Sequence, residues 1–249
     1  MMTSAVLIRE RLKAALWHCL FSIVLLAIAL CLVFQLWYPH TLAYAMGVTK
    51  LYTMILAIDL TLGPLLTFFV YKKDRRHFIK DLAVIVTIQF AAFVYGLYVV
   101  AQGKPSWLVF VVDDFEAVAP IDIDYRQQAE FPEHFFMHWI KSPQWIAATY
   151  SKDAKIQQQQ KEDEMFRGIS LAKKPESYHN IKFFYSNILM RSKPISELYK
   201  YNARADVDRQ TKHLSSGYRW LPLKTFMHDQ VVLIDRSGKP ITVLNLNPW

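Results

Sequence analysis

The sequence predicts a membrane protein in two parts: three N-terminal transmembrane helices, then a small α+β domain outside the bilayer. Three observations carry this. Residues 14–38, 51–71 and 82–101 are each apolar over the roughly 20 residues a helix needs to cross hydrocarbon. From residue 102 onward the composition is that of a water-soluble domain, so the mean hydropathy of +0.12 describes neither half. Within residues 102–249, short β-branched runs stand at both ends and helical patterns lie between them.

The first span resembles a signal peptide at its edges. Arg9, Arg11 and Lys13 form a basic lead, and Ala43-Tyr44-Ala45 follows Pro39 in the manner of a cleavage site. Its apolar core exceeds the roughly 7–15 residues of a signal h-region, so it is expected to remain as an anchor. Five basic residues, Lys72, Lys73, Arg75, Arg76 and Lys80, separate the second and third spans, against Lys50 alone in the first loop and Lys104 after the third. The basic sides are expected to be cytoplasmic. Residues 1–13 are then cytoplasmic, 14–101 form the membrane region, and 102–249 lie in the periplasm of a bacterial inner membrane.

The second span carries Asp59 near its centre and Gly63-Pro64 one turn later. A central Asp costs roughly 2.5–3.5 kcal/mol on insertion scales, so its side chain is expected to face protein. Asp59, Gly63 and Thr67 recur at i, i+4 and i+8, and Gln89, Ala92 and Gly96 form a similar stripe on the third span. Small residues let helices approach in lipid, and polar ones bond across them. Pro64 also frees the carbonyl of Leu60. Counting depth places Asp59 roughly 18 Å and Tyr95 roughly 20 Å from the cytoplasmic ends, which makes Tyr95 the first expected partner of Asp59 and Gln89 the second. Three uses are open: a polar contact that fixes helix packing, a docking surface for another transmembrane helix, and ion transport by a lone carboxylate.

In the exported domain, residues 107–112 read as a strand, followed by Asp113-Asp114-Phe115 and a turn at Pro120. Residues 132–145 are aromatic-rich and helical in pattern. Residues 152–166 read as a polar helix with Gln157–Gln160 on a solvated face, and 178–190 and 195–201 as shorter helices. Residues 231–234 and 241–246 flank Asp235-Arg236-Ser237-Gly238-Lys239 as a β-hairpin, expected to pair with the first strand.

Little in the sequence points to catalysis. Glu133, His134 and His138 lack the HExxH order and a third ligand. Asp113, Asp114 and Glu116 read as a strand-end turn more readily than as paired carboxylates. The chain has two cysteines, Cys19 and Cys31, both in the first span, and only seven glycines, so thiol chemistry and glycine-rich phosphate loops are unavailable to the exported domain. The net charge of +8 owes much to the basic residues flanking the spans and is no argument for nucleic acid. Aromatic residues reach 14%, with Phe131, Phe135, Phe136, Trp139, Trp145 and Tyr150 close together, a density suited to core or to a partner surface. The expectation is a binding protein with no enzyme activity, cofactor or metal.

Trp37-Tyr38-Pro39, Gly47-Val48-Thr49, the run Ile58-Asp59-Leu60-Thr61-Leu62-Gly63-Pro64-Leu65-Leu66-Thr67, Tyr95-Gly96, Ala101-Gln102-Gly103-Lys104-Pro105 and the terminal Pro248-Trp249 together resemble the type IV pilin accessory proteins of the TfpX/TfpZ group. The resemblance covers the membrane half and both ends of the exported domain. It departs at Asp113-Asp114-Phe115, where the family pattern has Asp-Arg-Phe. It implies a chaperone-like inner-membrane factor, without catalytic residues, that stabilises a cognate major pilin or promotes its assembly. Its implied partners are that pilin, the lipid bilayer and other pilus assembly components. The residues then offered for helix packing or pilin docking are Asp59, Gly63, Pro64, Thr67, Gln89, Tyr95 and Gly96. The rival reading, a membrane-anchored periplasmic ligand-binding sensor subunit, lacks a cytoplasmic part large enough for signalling output.

Overall fold

The structure, a computed structural model, describes residues 4–70, 75–126 and 143–249. The chain begins with α1 (Ser4–Cys31), which widens into a π-helical turn (Leu32–Trp37). The short α2 (Leu42–Ala45), α3 (Val48–Val70) and α4 (Arg75–Gln102) follow. Two compact units emerge. One comprises the residues up to Gln35 together with Val48–Ala101, and the other comprises Leu36–Gly47 with Gln102–Trp249.

Among the described residues three helices are long and apolar enough to cross a membrane, Ile8–Trp37, Val48–Val70 and Lys80–Gln102, and nearly all of their length lies in the first unit. α3 runs antiparallel to α1: the Tyr52 hydroxyl donates to the Leu26 carbonyl, and at the other end Thr67 meets His18. The Tyr52 ring also meets Phe34 edge to face at 5.3 Å. α4 runs antiparallel to α3, because Gly63 lies against Gln89 while Gly96 lies against Ile55. Pro64 sits inside α3 without ending it. Outward positions such as Leu62, Leu65, Phe69 and Ile88 are exposed and apolar, as a lipid-facing surface requires.

The second unit is built on a mixed sheet with strands β1 (Trp107–Val111), β2 (Asp114–Val118), β3 (Gln144–Ala148), β4 (Tyr178–Asn180), β5 (Lys193–Pro194), β6 (Arg219–Lys224), β7 (Gln230–Ile234) and β8 (Pro240–Leu244). Their order is β4-β3-β1-β2-β6-β7-β8; β5 pairs with the first residues of β6 and β2 with its last. β1/β3 and β2/β6 are parallel. Alternation along β1 divides the core. Leu108 and Phe110 join Phe115, Leu221, Val232 and Ile188 on one face, while Trp107, Val109 and Val111 join Ile146, Leu171 and Tyr178 on the other. Further along, Trp220, Val231 and Leu233 pack with Leu198 and Val207. Among the described residues this unit holds, besides α2, the helices α5 (Ala154–Arg167), α6 (Tyr185–Arg191) and α7 (Arg204–Thr211).

The expected terminal hairpin forms as β7–β8, but it pairs with β6 and not with β1. Both edges of β1 are already taken, by its own hairpin partner β2 and by β3. The segment expected as a helix over 178–190 is instead β4, a 3-10 turn (Ile181–Phe184) and α6. β3 occupies the end of the expected aromatic helix, and Trp145 packs edge to face on Phe115 at 5.4 Å. The rest of that stretch, with the Glu133-His134-His138 candidate and Phe131, Phe135, Phe136 and Trp139, lies outside the described residues, as do Lys72 and Lys73.

The polar helix forms as α5, with the Asp153 carboxylate accepting from the amides of Lys155 and Ile156 and Gly168 closing it at φ 65°. Its Gln tract is not wholly solvated. Gln160 is 3% exposed, accepts from the Ser151 amide and donates to the Ser177 hydroxyl. One turn on, Asp163 receives the fully buried Lys174 at 2.7 Å, and Asp124 stands 3.5 Å from the same ammonium.

Residues Leu36–Gly47, of which 36–38 are expected at the end of the first span and the rest in the loop after it, pack into the sheet unit. Leu42 belongs to the same apolar cluster as Phe110, Phe115 and Val232. The Ala45 carbonyl accepts from the amides of Met227 and His228, and the Thr225 hydroxyl stands 3.1 Å from it. Lys104 lies 5.7 Å over the Trp37 ring.

Candidate functional site: a polar-floored groove among the apolar helices

A cavity of about 340 Å³ lies between α1 and α4, and α3 contributes one side chain to it, Asp59. The walls are apolar, formed by Trp17, Phe21 and Leu25 on α1 and by Val86, Phe90 and Phe93 on α4. His18, Ser22, Asp59 and Gln89 supply the polar atoms. Helical geometry explains this gathering. On α4 the stripe Gln89, Phe93, Gly96, Val100 recurs every three to four residues, and it turns toward the other helices.

The polar groups are knitted together on one side and open on the other. His18 Nδ1 lies 2.8 Å from the Thr67 hydroxyl and His18 is also hydrogen-bonded to the Gln89 side chain. Gly63 makes this junction possible: a Cβ there would stand 2.4 Å from Gln89 Nε2 and 2.8 Å from His18 Nε2. Gln89 Oε1 is buried without a hydrogen-bond partner among the described residues. No hydrogen bond or ion pair to Asp59 is found among them either. A carboxylate and an amide oxygen in an apolar-walled cavity leave acceptor capacity that only an incoming donor can use.

Of the residues singled out from the sequence, Asp59, Gly63, Thr67 and Gln89 therefore converge, and Gly96 abuts Ile55 nearer the other end of α4. Pro64 is half-buried beside Gly63. Tyr95 does not converge; it is 69% exposed and faces outward. Depth counting fixes height but not azimuth. Six residues separate Gln89 from Tyr95, about 240° around the helix, so only one of them can face Asp59. His18 is the member that sequence reasoning missed, although an imidazole inside an apolar span is itself a signal of function.

The carboxylates after β1 serve the fold. Val112 and Asp113 form the tight turn, with Val112 at φ 53°, a rare conformation for a β-branched residue. Asp114 pairs with Lys224 at 2.6 Å, and Glu116 accepts from the Ser170 hydroxyl at 2.6 Å. Burial pushes the Asp114 carboxyl up to about 6 despite that lysine.

The profile of the family described as Fimbrial assembly protein FimB matches residues 6–47, the stretch that runs from α1 through α2. The Fimbrial assembly protein of serogroup I from Dichelobacter nodosus is 30% identical over 204 residues, covering 78% of this chain and 76% of that protein. The serogroup E1 protein of the same organism matches to the same extent. That of serogroups C1 and C2 is 36% identical over 108 residues, or 43% of this chain and 82% of that protein. No solved structure matches the chain. With identity of 30% sustained over three quarters of each partner and the profile matching α1, the chain belongs to the fimbrial assembly protein family.

Proposed function

We propose that this protein assists assembly of type IV pili from the bacterial inner membrane, binding the cognate major pilin as a chaperone-like accessory factor. Its N-terminus is cytoplasmic and residues 102–249 are periplasmic, in keeping with the basic residues flanking the spans. The observation that carries the reading is the groove between α1 and α4. It is lined by aromatic and aliphatic side chains, yet it presents Asp59 and the Gln89 oxygen without hydrogen-bond partners among the described residues. Lipid tails supply no donors, whereas a partner helix with one polar group would fill the walls and satisfy the floor.

Site-specific photocrosslinkers at Phe21 and Phe90, on the groove, and at Ile88, 64% exposed on the same helix as Phe90, test this in native membranes. Pilin adducts from the first two but not from Ile88 are expected. Adducts to a kinase or transporter with none to pilin would give the protein a sensory role instead.

A further inference from the structure

We infer that the β6–β7 loop, Thr225–Asp229, is a second membrane contact that lays Phe226 and Met227 into the headgroup region. The inference rests on reading the apolar helices as membrane spans. Phe226 is 79% exposed and Met227 56%, although neither belongs to a floppy tail. The loop is built to hold them out. The Asp229 carboxylate accepts from the Thr225 amide at 2.8 Å, the Thr225 hydroxyl donates to the His228 carbonyl at 2.7 Å, and the Trp249 indole donates to Asp229 at 3.2 Å. His228 stacks on Tyr44 at 4.3 Å with the rings nearly parallel.

The location of this apolar tip follows from chain connectivity. The amides of Met227 and His228 bond the Ala45 carbonyl, and Val48, three residues after Ala45, begins α3. Three residues reach at most about 10 Å. Contact is closer still at Gly47, where a Cβ would stand 2.7 Å from Met227 Cγ. Met227 is therefore held on a segment that only three residues of chain tether to the first residue of a span, a reach comparable with the interfacial layer of roughly 5–8 Å on each side of the hydrocarbon. Aromatic and Met side chains in a loop that carries His228 and directly follows Lys224 suit that layer. A lipid surface is accordingly the occupant that the position favours.

Single cysteines carrying bimane, placed at Phe226 and at Leu65 in a Cys19→Ser/Cys31→Ser background, test the inference on the full chain. The protein is reconstituted in phosphatidylethanolamine/phosphatidylglycerol vesicles doped with phospholipid brominated near the headgroup. Leu65 is 51% exposed on α3 and reports the span itself. The Phe226 label is expected to lose most of its emission to the brominated lipid and little to aqueous iodide. If Leu65 is quenched by lipid while the Phe226 label is open to iodide, the loop inference fails and the span reading stands. If neither is lipid-quenched, the span reading fails with it. A Phe226 label that is iodide-accessible in vesicles but shielded once purified pilin is added would overturn the lipid assignment and give the tip to a protein partner.

Discussion

At Gly63 three helices meet within the reach of one methyl group. Gly63→Ala places a carbon 2.4 Å from Gln89 Nε2 and 2.8 Å from His18 Nε2, so both side chains must turn away and the hydrogen bond between them is lost, at a cost of about 1–3 kcal/mol. Gly96→Ala meets only the mobile end of Ile55, at 3.1 Å, and is expected to cost under about 1 kcal/mol. Thermal unfolding of the purified variants in detergent ranks the two. The i, i+4, i+8 stripe made Gly63 and Thr67 legible from sequence, because helical spacing fixes which residues share a face. The partner on α4 was not legible, since the rotation of one helix about its axis is set by packing that no depth count contains. Asp114 bears a second residue-scale prediction. Its folded carboxyl titrates near 6, above the ordinary Asp value of about 3.9, so the folded state holds the proton more tightly and loses stability as pH rises between those values. Asp114→Asn is expected to remove that slope and to be more stable at pH 7, by up to about 2 kcal/mol. Asp163 has the opposite sign: the Lys174 ammonium holds its carboxyl below the usual range, so its contribution is present above about pH 4 and fades as pH falls further. Denaturant midpoints measured on both sides of the ordinary Asp value separate the two slopes, that of Asp163 lying on its acid side and that of Asp114 on its neutral side.

At the scale of an element, α5 shows how a polar helix earns its place in a fold without an apolar stripe. Its inward face is Gln160 and Asp163, three residues apart, bonded respectively to Ser151 and Ser177 and to the buried Lys174. Its outward face includes the exposed Gln158 and Gln159. Composition alone cannot distinguish one glutamine from its neighbours in the tract, because the distinction resides in what the sheet unit places opposite. Gln160→Ala strands the Ser151 amide and the Ser177 hydroxyl and is expected to cost about 1–3 kcal/mol, while Gln158→Ala stays within about 0.5 kcal/mol. Asp163→Asn removes the nearer of the two carboxylate charges from a buried ammonium, leaving that of Asp124 at 3.5 Å, and the loss is expected to be on the order of 3 kcal/mol. Urea unfolding of the three variants checks the order. The strands were harder to read than this helix. β1 and the terminal hairpin carry β-branched runs and turn chemistry, but β6 contains Pro222, which argues against a strand, and β3 has no alternation because Ile146, Ala147 and Ala148 are all buried.

For the whole molecule, the consequence lies in how the chain is divided. The sheet unit is discontinuous: Leu36–Gly47, between two apolar helices, completes a core that resumes at Gln102. Leu42 is 2% exposed among sheet residues, and the Ala45 carbonyl accepts from two amides of the β6–β7 loop. Withdrawing this segment exposes Phe110, Phe115 and Val232 beneath Leu42 and leaves two amides of the loop unsatisfied. Burial of a Leu contributes about 1.5–3 kcal/mol and each hydrogen bond about 1, against a total stability of about 5–15 kcal/mol for a domain. Residues 102–249 made alone are therefore expected to unfold at markedly lower urea than the same residues fused through a flexible linker to 36–47. Leu42→Ala in the fused form should return about half of the difference, because it removes the packing but keeps the backbone bonds. Equal midpoints for all three would mean that the sheet closes its own core and that the segment is only a tether. The family profile, over residues 6–47, takes in this segment together with α1, so the stretch that completes the sheet core lies within the part of the chain that the profile matches.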